Sequence, residues 1–326
     1  MIPGALRLLA PLSLLAAASC TFPATIALPT FSALFSTPAA VPNKITKPFR
    51  SDARLAVLWV GHATVLLQMD DKLILTDPVF TTTVGEVSKR LVEPGLDPEN
   101  VPPVAVTLIS HLHFDHLSLG SLSRLERKIG ALLVPEKGLI YVPDYSFESS
   151  ELKTWSTWES DGLRVTAVPV KHSGYRYGID RAWMDRSFTG YMIQYHGLTV
   201  YFGGDTAYDH ENVVATAARF PSIDLALLPI APIHPREHME DKHVDPKEAV
   251  QIFEELGARC FVPIHFGTFI NSEDAPGEPV AVLRQVVAEK KLDASAFQVL
   301  TQGEQRVIIL APLITSLHNH TNQPHR

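Results

Sequence analysis

Only two cysteines, Cys20 and Cys260, occur in the 326 residues. No disulfide framework can staple such a chain, and neither cysteine has a second Cys or a His at zinc-ribbon spacing. Cys260 sits inside the apolar run "RCFVPIHF", where a buried, inert thiol is expected. No block of Lys and Arg is present and the formal charge is −7, which argues against a nucleic-acid partner. Long apolar runs are also missing: the stretch from Leu8 to Ala18 is too short to span a bilayer and is broken by Pro11. What remains is 46% hydrophobic and 19% charged, enough to bury one large core or two closely packed halves.

The first 20 residues read as an export signal, with Arg7, the apolar stretch and then small residues. "AASC" at 17–20 resembles a bacterial lipobox, which would make Cys20 a lipidated first residue. Simple cleavage near Ala18 is the alternative. The chain is therefore expected in the periplasm or as a membrane-anchored lipoprotein. Prolines recur over 21–50 without usable periodicity, which suits an extended tether. The folded domain is expected over 51–312, and the tail 313–326, with His318, His320 and His325, is expected to be disordered and solvated.

Short β-rich runs, "LAVLWVG", "ATVLLQM" and "KLILTD", open the domain as a meander, and "VAVTLIS" follows as a buried strand. Helical periodicity takes over in "LSLGSLSRLERKIG", with Gly130 as the expected C-cap. The second half repeats the arrangement: strands "LRVTAVPV", "TGYMIQYH" and "LTVYFGGD", a helix near 209–219, strand "DLALLPI", a helix near 246–256, and strand "CFVPIHF". Asp245 as N-cap, Pro246 at N1, Glu248 at N3 and Gly257 beyond the end define that last helix. Strands and helices alternating through two halves predict an α/β (α+β) architecture of sheets covered by helices.

The chemistry is concentrated in "SHLHFDHLS" at 110–118. On an extended segment His111 and His113 share a direction, while Asp115 and His116 turn away as the strand gives way to loop. One hexapeptide can thus feed two adjacent metal positions. Three imidazoles and a carboxylate at a strand end are costly unless ligated or solvated. Further candidates stand at the ends of later apolar strands: His172, Asp205 after Gly203 and Gly204, and His265. Strands that all deliver ligands to one rim are the expected arrangement.

HxHxDH at 111–116, then His172, Asp205 and His265 in that order, resembles the metallo-β-lactamase superfamily. That resemblance implies a four-layered αββα sandwich with a dinuclear metal site between its sheets. It further implies that His111, His113 and His172 hold one ion, that Asp115, His116 and His265 hold the other, and that Asp205 bridges them. Imidazole and carboxylate ligands with open positions suit zinc, with iron or manganese as alternatives. A narrower resemblance, to the N-acylphosphatidylethanolamine-hydrolysing phospholipase D family, rests on "WVGHATVLLQMDDKLILTDPVF" at 59–80, "GGDTAYD" at 203–209, "PREHM" at 235–239, "HVDPKEAV" at 243–250 and "IHFGTF" at 264–269. "RSFTGYM", where the family usually has a tryptophan-glycine pair, and Phe266, which replaces a tryptophan, depart from the family near the expected substrate mouth.

With the export signal, this resemblance implies an exported metal-dependent phosphodiesterase in which two divalent ions lower the pKa of a bridging water. Asp115 is expected to orient that nucleophile as well as ligate. His243 is expected either to donate to the developing charge or to hold a ligand, and His62 to be a structural imidazole under the site. His196 is read as a hairpin-turn residue. The substrate would be a phospholipid, or a small-molecule ester in the alternative of a lactonase or sugar-phosphate hydrolase. A non-catalytic metal-dependent binding protein is the third reading, disfavoured because no additional protein ligand closes the site.

Overall fold

The central strands form where apolar runs are buried on both faces, and short polar strands take two of the sheet edges. In the computed structural model, which describes residues 30–312 apart from 31, 86 and 87, the strands are β1 (Ala53–Gly61), β2 (Thr64–Met69) and β3 (Lys72–Thr76), then the two-residue pair β4 (Thr83–Val84) and β5 (Ser88–Lys89), then β6 (Val104–Leu108), β7 (Ile129–Pro135) and β8 (Glu148–Leu152). The second half adds β9 (Thr157–Ser160), β10 (Leu163–Val168), β11 (Gly190–Tyr195), β12 (Leu198–Phe202), β13 (Leu225–Pro229), β14 (Phe261–Ile264) and β15 (Gln305–Leu310). The export signal, Cys20, residues 21–29 of the expected tether and the tail 313–326 lie outside the described residues.

Seven strands make one sheet in the order β15-β1-β2-β3-β6-β7-β8, and six make another in the order β14-β13-β12-β11-β10-β9. The β1–β2–β3 meander is antiparallel, while β3, β6, β7 and β8 run parallel. In the second sheet β9 to β12 are antiparallel, and β12, β13 and β14 are parallel. Parallel neighbours need crossovers, and helices supply several of them.

Three hydrophobic layers hold the sandwich. Leu55, Val57, Leu67 and Val106 of the first sheet meet Val165, Tyr191, Phe202, Leu227 and Val262 of the second. On the outer face of the first sheet, Leu58, Leu66 and Leu75 cluster with Leu122 and Leu125 of the helix Leu119–Leu125. On the outer face of the second, Met192, Tyr201 and Leu228 cluster with Val213, Val250, Phe253, Leu283 and Val287. Those five come from the helices His210–Arg219, Pro246–Leu256 and Glu278–Glu289. The layers therefore run helix, sheet, sheet, helix, the expected αββα order.

The helix Pro246–Leu256 has the predicted ends: Asp245 and Glu248 form a reciprocal capping box, and Gly257 closes it at φ 62°. Two expectations change. Gly130 is not a C-cap but the second residue of β7, where an added Cβ would stand 2.7 Å from the Ala105 carbonyl oxygen; the helix instead passes through a 3-10 turn at Glu126–Lys128. Part of the expected tether also packs on the domain. Ala39 bridges Val92, and Lys44 lies 3.0 Å from Glu93 and 2.8 Å from Asp97, so ion pairing holds a segment whose proline content suggested only extension.

Candidate metal centre

Seven connections from both sheets converge on one rim. The β1–β2 turn brings His62, the end of β3 brings Asp77, and the loop after β6 brings His111, His113, Asp115 and His116. The second sheet contributes His172 beyond β10, Asp205 beyond β12, His265 beyond β14, and His243 before the helix Pro246–Leu256. Backbone hydrogen bonds tie these loops together: Thr189 N to Ser110 O at 2.8 Å, Val244 N to Thr206 O at 2.7 Å, and His265 N to His62 O at 2.9 Å. Gly204 is required there, because at φ +58° an added Cβ would lie 2.3 Å from the Ser110 Cβ.

The structure brings every predicted site residue together. Candidate donor atoms of His111, His113 and His172 lie within 4.8 Å of one another, and so do those of His62, Asp115, His116 and His265. Between the two groups sits Asp205. Its Oδ2 is 3.0 Å from His265 Nε2, 3.3 Å from His116 Nε2, 3.9 Å from His172 Nε2 and 4.0 Å from His111 Nε2. His243 Nδ1 is 3.6 Å from the same oxygen, which joins it to the set.

The surroundings fix which imidazole nitrogens are free. His116 Nδ1 donates to Asp77 Oδ2 at 2.6 Å, His172 Nδ1 to Lys242 O at 2.8 Å, and His265 Nδ1 to Ala231 O at 2.9 Å. In all three rings the opposite nitrogen, Nε2, is buried and lacks a hydrogen bond, as do Asp205 Oδ1 and His243 Nδ1. A buried polar atom left unpaired costs about 1–3 kcal/mol. Four such nitrogens around one carboxylate, three of them on rings oriented from behind, together with the carboxylate's own unpaired Oδ1 fit divalent cations held by nitrogen and oxygen.

Electrostatics favour the same state. Burial pushes His62 and His113 down to about 3. It also holds His111, His172 and His243 below their ordinary value. His116 is the exception: burial lowers it, but Asp205, Asp77 and Asp115 together outweigh burial and hold it well above the usual imidazole range. Burial would raise Asp205 and Asp115, yet His265 and His116 around the first, and His116 and His62 around the second, keep both below the carboxylate range. Most of the rings thus offer lone pairs while both carboxylates stay ionised.

Sequence reasoning left out the groups behind the donors. Asp77 accepts from Ser110 N at 2.7 Å and Ser110 Oγ at 2.6 Å besides His116. It ends an apolar strand as Asp205 does, so the criterion that found Asp205 would have found it. Arg176 is buried, and its Nη1 donates to Leu112 O at 2.8 Å and Leu117 O at 2.9 Å, clamping the histidine hexapeptide from both sides. His62, expected to be structural, donates from Nε2 to Asp115 Oδ2 at 2.9 Å.

A profile described as the Beta-lactamase superfamily domain matches residues 72–266, which include every predicted donor. The chain belongs to the metallo-β-lactamase superfamily. It is 28% identical over 298 residues to N-acyl-phosphatidylethanolamine-hydrolyzing phospholipase D 1 of Caenorhabditis elegans, covering 85% of this chain and 82% of that protein. It is 28% identical over 252 residues to a metal-dependent hydrolase of Methanopyrus kandleri, covering 77% of this chain and 98% of the relative. Among solved structures, a novel metallo hydrolase from Ignicoccus hospitalis superposes with a TM-score of 0.58 at 21% identity, over 77% of this chain and 97% of that one. This superfamily member is therefore a metal-dependent hydrolase with its donor set at the rim between the sheets.

Proposed function

We propose that this hydrolase is a phospholipase D-type phosphodiesterase acting on N-acylphosphatidylethanolamine-like phospholipids, with two divalent ions, zinc for preference, at the site. The observation that carries the dinuclear reading is Asp205, whose Oδ2 lies within 4.0 Å of donors from both histidine groups. The similarity to the Caenorhabditis elegans enzyme supports the substrate class. His111, His113 and His172 would hold one ion, Asp115, His116 and His265 the other, with Asp205 shared. Such ions, when bound, acidify water and offset charge on a phosphate.

The remaining steps belong to the chain's own groups. Asp115, ionised and held by His62, orients the attacking water toward phosphorus. His243, whose side chain keeps partial exposure on the rim, hydrogen-bonds as a neutral ring to the leaving oxygen, which takes the proton given up by the attacking water and departs as the N-acylethanolamine. Water adds to phosphorus as the phosphorus–ethanolamine oxygen bond breaks, so phosphatidic acid is the second product. Export, with or without an acyl chain on Cys20, would place the enzyme beside its substrate.

The test is turnover of N-acylphosphatidylethanolamine in mixed micelles, with phosphatidic acid monitored before and after chelation. Release that requires metal and disappears in His243→Ala and Asp115→Asn supports the reading. Absence of release, together with metal-dependent opening of lactones or cleavage of sugar phosphates, would replace it with the soluble-substrate alternative.

A further inference from the structure

Nine large hydrophobic side chains are exposed among the described residues, and four of them, Ile140, Tyr177, Ile179 and Trp183, fall on just two loops. Ile179 is 78% exposed, Ile140 68%, Trp183 55% and Tyr177 45%. Single exposed apolar residues are ordinary; a contiguous group is the mark of an interaction surface. The two loops do meet. Lys137 Nζ donates to Trp183 O at 3.4 Å, the Tyr141 hydroxyl donates to Asp180 at 2.7 Å, and the Tyr141 and Tyr177 rings are 5.5 Å apart.

The loops carry acids as well, Glu136 lying 3.7 Å from Lys153 and Glu151 accepting from Leu139 N at 3.0 Å, and the basic part of the face is one depression. Lys137, Arg181 and Arg186 line one depression beside Trp183, with a single acid, Asp185, and that acid lies 3.5 Å from Arg181. No ion pair engages Lys137 or Arg186 among the described residues, although the whole chain carries −7. An anionic surface is therefore drawn to this face. The rings also connect to the donor set: Tyr177 packs 5.5 Å from Phe114, which stands between His113 and Asp115, and Tyr175 packs 5.3 Å from His113.

We infer that the face formed by the loops around Ile140 and Ile179 docks on an anionic lipid bilayer, with the isoleucines and aromatic rings entering the headgroup region and Lys137 and Arg186 meeting acidic headgroups. Exposed apolar and aromatic side chains rimmed by Lys and Arg match the chemistry of a membrane interface. No helix among the described residues is long and apolar enough to cross a membrane, so this contact is peripheral. It holds whichever bond the enzyme cleaves, because vesicle binding is read without substrate.

The test uses the chain from Thr21 onward, without the expected export signal and Cys20, so that neither the apolar stretch Leu8–Ala18 nor an acyl group holds it to lipid. Co-sedimentation is measured with vesicles of equimolar phosphatidylcholine and phosphatidylglycerol, and with phosphatidylcholine alone. Binding is expected to the anionic vesicles and to weaken with salt. Lys137→Glu/Arg186→Glu should weaken it by about thirtyfold or more, and Ile140→Ser/Ile179→Ser by about tenfold or more. Both variants should keep the metal content and the turnover of soluble bis(4-nitrophenyl) phosphate. Equal sedimentation of either variant and its parent, or equal affinity for neutral and anionic vesicles, would overturn the proposal.

Discussion

Replacing Asp77 with Asn isolates the group that orients one half of the centre. Asp77 is fully buried and its two oxygens accept from Ser110 N, Ser110 Oγ and His116 Nδ1, all within 2.7 Å. Asn keeps the volume but offers one acceptor oxygen in place of two, and its NH2 must face a donor. The charge that strengthens the His116 contact is lost as well. Loss of an outer partner of a ligating histidine costs about 10–100-fold in metal affinity, or about 1.4–2.7 kcal/mol. Asp77 touches His116 directly and reaches the other position only through Ser110 Oγ, 3.0 Å from His111 Nδ1, so the larger loss should fall on the Asp115–His116–His265 position. Zinc titration of the apo-protein by calorimetry should show one weakened step and one close to that of the parent. Equal weakening of both steps, or of neither, would refute the reasoning.

Arg176→Ala removes two hydrogen bonds to the Leu112 and Leu117 carbonyls and a guanidinium stacked 4.2 Å from Phe114; about 3 kcal/mol of stability should go, seen as a lower urea midpoint at unchanged slope. Gly204→Ala forces a Cβ to within 2.3 Å of Ser110 at a left-handed backbone position, so the neighbouring Asp205 should shift, with metal content and turnover falling together by more than about tenfold. A variant with normal metal content would contradict that. Burial raises the Cys260 thiol to about 11, which leaves less thiolate at neutral pH in the folded chain than in the unfolded one. Alkylation at Cys260 should be slower by about a hundredfold in the native protein, as peptide mass spectrometry after iodoacetamide would report.

Much of the fold is legible because its strands are buried on both faces. "LAVLWVG" and "LTVYFGGD" are near-continuous apolar runs that only a covered sheet can accommodate, and they became β1 and β12. The helix Pro246–Leu256 was legible from its ends, since Asp245, Pro246, Glu248 and Gly257 each have a local physical role. The helix Glu278–Glu289 and strands β4, β5, β7, β8, β9 and β15 were not anticipated; β7 begins at Ile129, inside the run read as helical up to Gly130. β8 and β9 are short and largely polar, and β15 reaches β1 from the far end of the chain. The donors were visible because His and Asp at strand ends are unusual. The groups that orient them were not, because two are backbone carbonyls, of Lys242 and Ala231, to which residue identity gives no clue.

The central claim is that Asp205 joins two cation positions into one hydrolytic centre. Its most direct test is the metal content of the purified full chain and of Asp205→Asn, measured by inductively coupled plasma mass spectrometry beside phosphatidic acid release. The account predicts two divalent ions per parent chain, and in the variant fewer ions, with release abolished. One ion per parent chain, or a variant that keeps both ions and full turnover, would contradict it.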